Sequence, residues 1–482
     1  MAAEGGVNVF QRFLTWVKGA LAKMLHINDA KTALKVDVAV GTDMQTAIDT
    51  WAALFQDGAP WLDKNTQSLG LPAAVAGEIA RLVTVELSSK VEGSPRADFL
   101  QEDYARVLEG LRANVEVAAA AGGLVFKPYV DSGRVVVDCV PAWRFLPTAF
   151  NSRGEVTGAV FVEQVTKGKT YYTRMEHHQL TAAGYLIRNY AFMSMSKNTL
   201  GPPCQLAAVD EWAELEPELT LKYKDGTAPE RVLFSYFKMP FANNIDPTSP
   251  LGVSVYSRAV GLIEQADKQY SRILWEYEGS ELAIDASEGA IKSEGLDGKP
   301  IKVPERRKRL FRELGIDQGQ GGDLYKVFSP EIRDTALFNG LDKLLKRIEF
   351  NCYLSYGTLS DPQSVEKTAE EIKTSKQRSY SAVCDIQRAL ERALNHLVWA
   401  MDFYTSLYAL APRGEFETGF TWGDGVMENT DVEFARRKQL ADSGYLRPEA
   451  FVAWYFGITE EEAREKYLPA AAPPMFPDEP EV

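Results

Sequence analysis

The residues whose types and spacing come closest to a catalytic site lie between positions 366 and 373. Glu366, Glu370 and Glu371 are interspersed with Lys367 and Lys373. Carboxylates four residues apart face the same side of a helix, so this pattern could hold a divalent metal as in a nuclease. The stretch is polar on nearly every side, however, and charged residues are commonplace on a solvated helix. The sequence therefore predicts an exposed helix here, without catalysis and without a metal.

Other enzyme signatures are absent from the sequence. It contains no P-loop, no dinucleotide-binding glycine pattern, no HExxH and no GxSxG. Gly319-Gln320-Gly321-Gly322 lacks the preceding strand and following helix of a phosphate-binding loop, so a turn is predicted. His177 and His178 would point to opposite faces of a strand and make a poor metal clamp. The cysteines are widely spaced and indicate reduced thiols, not a disulfide framework or zinc site: Cys139, Cys204, Cys352 and Cys384. We therefore predict a protein that is not an enzyme and binds no cofactor or metal.

The charge balance of the chain is acidic, with a net charge of −14 at pH 7. Proteins that grip nucleic acid by neutralising phosphates are usually basic. Tight, static DNA binding is therefore not predicted, although DNA could pass without being gripped. One basic run is Arg306-Arg307-Lys308-Arg309. It could contact phosphate or an acidic partner, or it could be neutralised by Glu305 and Glu313 within or between subunits, and the sequence leaves both open.

The length and composition are those of a globular protein of two to four domains, with 482 residues and 45% hydrophobic content. No apolar run approaches the ~18–20 residues that cross a bilayer, so no membrane partner is predicted. Residues 1–40 form an N-terminal arm. Its amphipathic segment, 8–26, is predicted to pack on the body or on a partner, with a membrane-surface helix as the alternative. A signal peptide is not predicted, because charged residues interrupt the apolar run.

The N-terminal half of the chain is predicted to be an α+β body. Apolar residues at helical spacing predict helices near 48–55, 72–87 and 99–115. The period then changes to two, and turn residues separate the strand-like runs 124–126, 135–137, 160–162, 171–173 and 185–187. These runs predict an antiparallel meander. Residues 241–250, rich in Asn, Asp and Pro, are a candidate domain boundary.

Two helices and an insert are predicted next. The first helix covers residues 255–277, and the insert 280–330 contains strand candidates at 301–303 and 324–328. The second helix follows Ser329-Pro330, a cap residue with proline at the first helical position, and continues to Ile348. The two helices can therefore lie antiparallel on either side of a small α/β insert.

A break and a long helix follow. Tyr356-Gly357-Thr358-Leu359-Ser360 interrupts the helical pattern, and Asp361-Pro362 restarts it. An apolar stripe then runs from Val365 to Tyr404, and an unbroken helix up to Pro412 would approach ~70 Å. Three short helices are predicted beyond it: 432–440 ended by Gly444, 448–456, and one opened by the capping box Thr459 to Glu462. Residues 469–482 are rich in Pro and acidic residues and are predicted to be disordered.

Three motifs occur in order between about residues 40 and 465. The first is Tyr-Tyr-Thr-Arg-Met-Glu-His-His at 171–178 with Tyr-Leu-Ile-Arg-Asn-Tyr at 185–190, and the second is Pro-Leu-Gly-Val-Ser-Val-Tyr at 250–256 with Asp-Lys-Gln-Tyr at 267–270. The third and most specific is Asp361-Pro362-Gln363 with Lys-Thr-Ala-Glu-Glu-Ile at 367–372. Together they resemble portal proteins of long-tailed bacteriophages, which form a ring at the unique vertex of the capsid.

The resemblance implies an α+β portal fold with named parts. The wing would cover 41–250 and continue in a long wing helix over 363–411. The stem helices would be 251–279 and 331–354, enclosing a small α/β clip at 280–330. The tunnel loop would cover 355–362 and a helical crown 412–468. The arm 1–40 and the tail 469–482 lie outside the resemblance.

The resemblance also implies a function, partners and site residues. The chain would form a homo-dodecamer in the virion, assembled in the host cytoplasm, as a conduit for packaging and ejecting double-stranded DNA. Its partners would be the terminase large subunit, a head-completion or adaptor protein, and the major capsid and scaffold proteins. The candidate channel residues are Tyr356, Gly357, Thr358, Leu359, Ser360, Asp361, Gln363 and Lys367, and the candidate clip contacts are Arg306, Arg307, Lys308 and Arg309.

Two other classes of function stay open at this stage. An acidic cytosolic enzyme with an α/β body would require clustered catalytic residues, and an adaptor would not form a ring. A monomer would favour either of them. If the portal interpretation holds, deleting residues 356–360 should leave assembly largely intact and impair DNA packaging or retention.

Overall fold

The computed structural model describes residues 31, 34–197, 199–280, 283–287, 311–314, 325–328, 331–361, 369–423, 430–456 and 458–467. The described chain is an α+β protein, as the sequence predicts. It divides into a larger unit, containing residues 89–420 and the chain up to 85, and a smaller unit, containing residues 86–88 and the chain from 421. The predicted N-terminal helix at 8–26 and the acidic tail lie outside the described residues.

Four helices open the larger unit: α1 (Thr42–Phe55), α2 (Leu71–Thr84), α3 (Pro95–Glu109) and α4 (Leu111–Ala121). The sequence predicted one helix through residues 99–115, but the chain breaks at Gly110, which lies between α3 and α4. Helix α4 ends at Ala121, and the next residue, Gly122, has a φ of +84°. A Cβ atom there would lie 2.6 Å from the Gly252 carbonyl oxygen. Only glycine therefore fits this close approach of two backbones.

Ten strands accompany these helices: β1 (Ser88–Glu92), β2 (Gly123–Asp131), β3 (Arg134–Pro141), β4 (Phe145–Phe150), β5 (Val156–Lys167), β6 (Thr170–Thr181), β7 (Gly184–Ser194), β8 (Pro203–Cys204), β9 (Glu218–Leu221) and β10 (Ser235–Lys238). One sheet has the order β10-β2-β3 and another the order β4-β5-β6-β7-β8, with β9 also paired to β7. All of these pairs are antiparallel. The predicted strands are all present, but they do not form one meander: the runs 124–126 and 135–137 lie in the β10-β2-β3 sheet, and the runs 160–162, 171–173 and 185–187 lie in β5, β6 and β7 of the other sheet. The predicted turns fall between strands, as at Gly133 with φ +75°.

Two helices precede and follow a three-stranded sheet in the next part of the chain. Helix α5 (Val260–Gly279) and helix α6 (Asp334–Asn351) are antiparallel, because Gln269 Nε2 donates to the Leu337 carbonyl at 3.1 Å while Glu276 pairs with Arg333 at 2.8 Å. Between them lie β11 (Ala283–Ser287), β12 (Phe311–Leu314) and β13 (Tyr325–Phe328), in the order β12-β11-β13. Strand β11 is parallel to β12 and antiparallel to β13. The strand predicted at 301–303 lies outside the described residues.

The start of α6 differs from the sequence prediction. The helix begins at Asp334, whereas Ser329-Pro330 predicted a start at 330 or 331. Residues 331–333 are not helical. The Glu276 carboxylate accepts hydrogen bonds from the backbone N–H and the guanidinium of Arg333, at 3.4, 3.0 and 2.8 Å. These contacts with α5 hold Arg333 outside the first turn of α6.

Helix α7 (Ala369–Leu407) has 39 residues and is about 58 Å long. Its apolar stripe is buried against the β10-β2-β3 sheet, and Ser235 Oγ of β10 donates to the Ala393 carbonyl at 2.6 Å. The predicted first residues of this helix, 363–368, lie outside the described residues. Its end is tied to α3, since the buried Arg96 guanidinium contacts Asp402 Oδ1 at 2.7 Å, the Asp402 and Ala411 carbonyls, and Ser406 Oγ.

The chain beyond α7 contains strand β14 (Glu417–Thr421), which pairs with β1. Ser89 Oγ of β1 donates to the Gly419 carbonyl at 2.9 Å. From the sequence only helices were predicted here, and this strand was not. Its five residues are mostly exposed and show no clear alternation of apolar residues. The smaller unit contains α8 (Thr430–Asp442), α9 (Pro448–Phe456) and α10 (Glu460–Lys466). The predicted cap is confirmed, because Thr459 Oγ1 accepts from Glu462 N at 3.2 Å.

Candidate functional site

The segment between α6 and α7 contains most of the residues singled out from the sequence. We call residues 352–361 the junction segment. It leaves α6 through a tight turn, in which Cys352 N donates to the Ile348 carbonyl and Leu354 N to the Glu349 carbonyl, both at 2.9 Å. Tyr353 adopts a φ of +61°, a value that non-glycine residues adopt infrequently. The chain is therefore redirected sharply at the end of the helix.

A buried carboxylate of α6 holds the far end of the junction segment. Glu349 has no exposed surface. Its Oε1 accepts hydrogen bonds from the backbone N–H groups of Leu359 and Ser360, at 2.6 and 2.8 Å, and its Oε2 accepts from Ser360 Oγ at 2.9 Å. Ser360 Oγ in turn accepts from Gly357 N at 3.2 Å. One side chain thus organises the turn over residues 357–360.

Helix α7 contacts the junction segment from its other side. The Arg378 guanidinium lies over the Phe350 ring at 4.3 Å and over the Tyr356 ring at 5.6 Å. It also donates to the Leu354 carbonyl at 3.2 Å. Cation–π contacts of this kind contribute on the order of 0.5–2 kcal/mol each. Arg378 therefore connects α6, the junction segment and α7.

The start of the junction segment packs on the loop that precedes α5. Tyr353 stacks on Phe241, with ring centroids 4.5 Å apart and an interplanar angle of 7°. The Tyr353 hydroxyl accepts a hydrogen bond from Arg258 at 2.9 Å. With Glu349 and Arg378, these contacts fix the segment at three places. It is a packed connection, and Thr358 and Asp361 are its exposed residues.

The structure places the residues predicted from the sequence in three different ways. Tyr356, Gly357, Leu359 and Ser360 pack within the junction segment, and Thr358 and Asp361 lie on its surface: Thr358 Oγ1 donates to the Ser355 carbonyl at 2.6 Å, and Asp361 N donates to Asp342 Oδ1 at 3.1 Å. Gln363 and Lys367 lie outside the described residues, as do Arg306, Arg307, Lys308 and Arg309.

Sequence reasoning missed two of the residues that hold the segment, Glu349 and Arg378. Glu349 carried a usable signal, because it follows Leu345 by four residues and so lies on the apolar face of α6. A charged residue on such a face is expected to be paired with buried polar groups. Arg378 carried no signal of this kind, since its neighbours in sequence are polar and resemble a solvated helix.

A second group of ionisable residues lies inside the larger unit. Glu176 of β6 contacts Lys127 Nζ at 2.6 Å, His178 Nε2 at 2.8 Å and Arg174 at 3.4 Å. Burial would raise the pKa of Glu176, but Lys127, His178 and Arg174 together hold that pKa well below its usual range. Burial lowers the pKa of His178, against the opposing effect of Glu176. A neutral His178 donates from Nε2 to Glu176 and accepts at Nδ1 from the Tyr185 hydroxyl at 2.8 Å.

This charged group lacks the access that catalysis requires. Tyr185 is fully buried and His178 is 2% exposed. The rings of Phe161 and Phe234 lie 5.1 and 6.0 Å from the His178 ring. A Glu–His–Tyr chain can move protons, but here no substrate reaches either ring. We assign it to the stability of the sheet.

Exposed apolar side chains occur at one end of the α5–α6 pair. Trp275 is 66% exposed, and Tyr277, Ile332 and Phe338 are each more than 40% exposed. The ion pair between Glu276 and Arg333 brings the end of α5 next to the start of α6, so these four residues lie at the same end of the pair. This is also the end from which β11–β13 extend in sequence.

The described ranges contain neither a metal-binding cluster nor a membrane-spanning helix. Three or more His, Cys, Asp or Glu side chains never converge there in an arrangement that fits a metal ion. Among the same residues, no helix combines the length and apolar character needed to cross a bilayer. Comparison with models of known protein families gave no match, and no curated protein matches the sequence.

Proposed function

We propose that this chain is a portal protein, the subunit of a homo-dodecameric ring at the unique vertex of a bacteriophage capsid. Double-stranded DNA passes through the ring during packaging and ejection, and the ring docks the terminase large subunit and head-completion or tail proteins. The observation that carries the proposal is the order of elements. Two antiparallel helices enclose a three-stranded insert, and an anchored segment then leads to a 39-residue helix. This order agrees with the order that the sequence motifs imply.

In this proposal each part of the structure has a role in the ring. The helices α1–α4 and the antiparallel sheets form the wing, α5 and α6 form the stem, and β11–β13 belong to the clip. The junction segment forms the base of the tunnel loop, and α7 supports it from the wing. The smaller unit forms the crown.

The exposed end of the α5–α6 pair supports self-association. Grouped large apolar side chains on a protein surface usually mark an interface. Trp275 and Phe338 would be covered by a neighbouring copy of the same chain in a ring. The ion pair between Glu276 and Arg333 fixes the end of α5 against the start of α6. Every copy of the chain therefore has the same surface at this end, as a symmetric ring requires.

The net charge of −14 fits passage of DNA through the ring. Each phosphate neutralised by a protein cation strengthens binding, so a channel with many basic contacts would slow the duplex. An acidic wall repels the duplex within a screening length of ~8 Å at physiological salt. The proposal therefore includes few permanent phosphate contacts and no ATP hydrolysis by the portal itself.

Mass and symmetry test the proposal directly. Light scattering and negative-stain microscopy of the purified protein should give a ring with a central hole and about twelve times the mass of a 53.6 kDa chain. Trp275→Ser and Phe338→Ser should shift the particles towards smaller species, whereas Lys343→Ser, an exposed polar site on α6, should not. A 53.6 kDa species at micromolar concentration, unchanged in the two apolar variants, would contradict the proposal.

A further inference from the structure

The smaller unit has a continuous aromatic surface made by α9 and the residue that follows α10. We define this aromatic surface as Phe451, Trp454, Tyr455, Phe456 and Tyr467. The Phe456 and Tyr467 rings are stacked, with centroids 4.5 Å apart and an interplanar angle of 15°. Tyr455 lies 5.0 Å from Phe456, and Trp454 lies 6.2 Å from Phe451. Trp454 also lies 6.5 Å from Tyr455, so the five rings form one patch. Phe434 of α8 packs on one side of it, 5.5 Å from Phe451 and 5.2 Å from Tyr455, and leaves Phe456 and Tyr467 uncovered.

Three rings of this surface are exposed although α9 is almost entirely apolar. The nine residues of α9 are Pro-Glu-Ala-Phe-Val-Ala-Trp-Tyr-Phe, with one charged side chain, and only Ala453 among them is buried. Tyr455, Phe456 and Tyr467 are 56%, 51% and 50% exposed. A helix that is apolar on nearly all sides is expected to be covered. The aromatic surface therefore indicates an occupant.

The chain itself supplies a segment of suitable chemistry next to this surface. Residues 468–482 continue directly from Tyr467 with the sequence Leu-Pro-Ala-Ala-Ala-Pro-Pro-Met-Phe-Pro-Asp-Glu-Pro-Glu-Val. Proline-rich segments bind aromatic-lined surfaces as polyproline II helices, because little conformational entropy is lost on binding. At ~3.1 Å per residue, fifteen residues reach about 45 Å, more than the ~14 Å length of α9. The segment is long enough to cross the aromatic surface without strain.

One cation contacts the aromatic surface directly. The C-terminal segment contains Asp478, Glu479 and Glu481 after its apolar part. The Arg437 guanidinium of α8 lies over the Trp454 ring at 4.4 Å. The acidic part of the segment can therefore meet a guanidinium on the Trp454 side of the aromatic surface.

We propose that residues 468–482 bind in cis to the aromatic surface of the smaller unit. In this arrangement Met475 and Phe476 contact Tyr455, Phe456 and Tyr467, and the acidic residues lie towards Arg437. The proposal is independent of the portal function, since it concerns only the smaller unit and its own C-terminal segment.

Competition between the segment in cis and a peptide in trans tests the proposal. A chain ending at Tyr467 should bind a fluorescent peptide of residues 468–482, measured by anisotropy. If the peptide binds the shortened chain with a Kd of about 0.1 mM, the full chain should bind it about tenfold more weakly, because a tethered segment has an effective concentration near ~1 mM. Phe456→Ala in the shortened chain should weaken binding about tenfold, as for a central aromatic contact. The matched control Glu465→Ala, an exposed site on α10, should leave binding unchanged.

Three outcomes would overturn the proposal. They are equal peptide binding by the full and shortened chains, no binding by the shortened chain, and association of shortened chains with one another that excludes the peptide. The last would identify a second copy as the occupant. A measurement on the intact chain covers the case in which the shortened chain fails to fold. Phe476→Asp should accelerate amide hydrogen exchange in α9 at least about tenfold, and unchanged exchange would contradict the proposal.

Discussion

Replacing Glu349 by alanine should release the end of the junction segment from α6. The change removes the acceptor of three hydrogen bonds and leaves the N–H groups of Leu359 and Ser360 without their partner. Hydrogen bonds to a charged group contribute ~1.5–3 kcal/mol each, but their sum is offset by relief of the cost of burying a carboxylate. We expect the free energy of local opening to fall by about 3 kcal/mol. Amide exchange at residues 359 and 360 should therefore be about 100-fold faster.

Glu349→Gln separates the loss of acceptors from the loss of charge. The amide oxygen can accept both backbone hydrogen bonds. The amide nitrogen takes the place of Oε2, so it donates to Ser360 Oγ, whereas Oε2 accepted from it. We expect the free energy of local opening to fall by only ~1 kcal/mol, so amide exchange at residues 359 and 360 should be about fivefold faster. Lys343→Ala, on the exposed side of α6, should have no effect. Exchange that is unchanged in Glu349→Ala, or equally fast in the Gln and Ala variants, would refute this reasoning.

The same contacts change what is expected of a deletion in this segment. The sequence alone predicted that deleting residues 356–360 would leave assembly largely intact. The deletion would remove all three donors to Glu349 and leave its carboxylate buried without a partner. Breaking a buried charged contact from one side costs ~3–5 kcal/mol. We therefore expect the deletion to destabilise the junction of α6 and α7, so that it does not isolate an effect on DNA.

Two further predictions concern the larger unit. Arg96→Ala should lower the free energy of unfolding by ~3–5 kcal/mol, because Asp402 and the Ala411 carbonyl lose their hydrogen-bond donor. The control Arg106→Ala, at a side chain that is 62% exposed, should change it by less than ~0.5 kcal/mol. Urea denaturation measures both values. Burial, with smaller contributions from the neighbouring His178 and Arg188, lowers the pKa of His177 to about 4, so between pH ~6.5 and 4 the unfolded chain binds a proton that the folded chain does not. Stability should fall as the pH is lowered through this range, and His177→Phe should reduce that slope in urea unfolding at a series of pH values; an identical slope in the variant would contradict the assignment.

Local sequence signals predicted the elements whose boundaries are set by neighbouring residues. The strands are apolar runs separated by turn residues, and Ser132-Gly133 places the turn between β2 and β3 because glycine accepts φ +75°. Thr459 caps α10 through Glu462 N, as the capping box predicts. In both cases the stabilising contact lies within a few residues along the chain. The α+β class follows from the same signals.

Features that depend on residues far away in the sequence could not be predicted from local patterns. The start of α6 is set by Glu276 on α5, and the junction segment is held by Arg378 on α7. Strand β14 forms because β1 offers it an edge more than 300 residues earlier, as the 330-residue separation between Ser89 and Gly419 illustrates. A single sequence specifies these contacts only through the complete fold.

The pairing of α7 with the β10-β2-β3 sheet also determines when the larger unit can close during synthesis. Ser235 of β10 and Ala393 of α7 are 158 residues apart. At ~5–20 residues per second, the ribosome needs roughly 8–30 s to make the chain between them. Throughout that interval the apolar face of the sheet has no cover, so the nascent chain is exposed to aggregation and to chaperones. Production of this protein should therefore respond to translation speed and chaperone supply more strongly than its final stability would suggest.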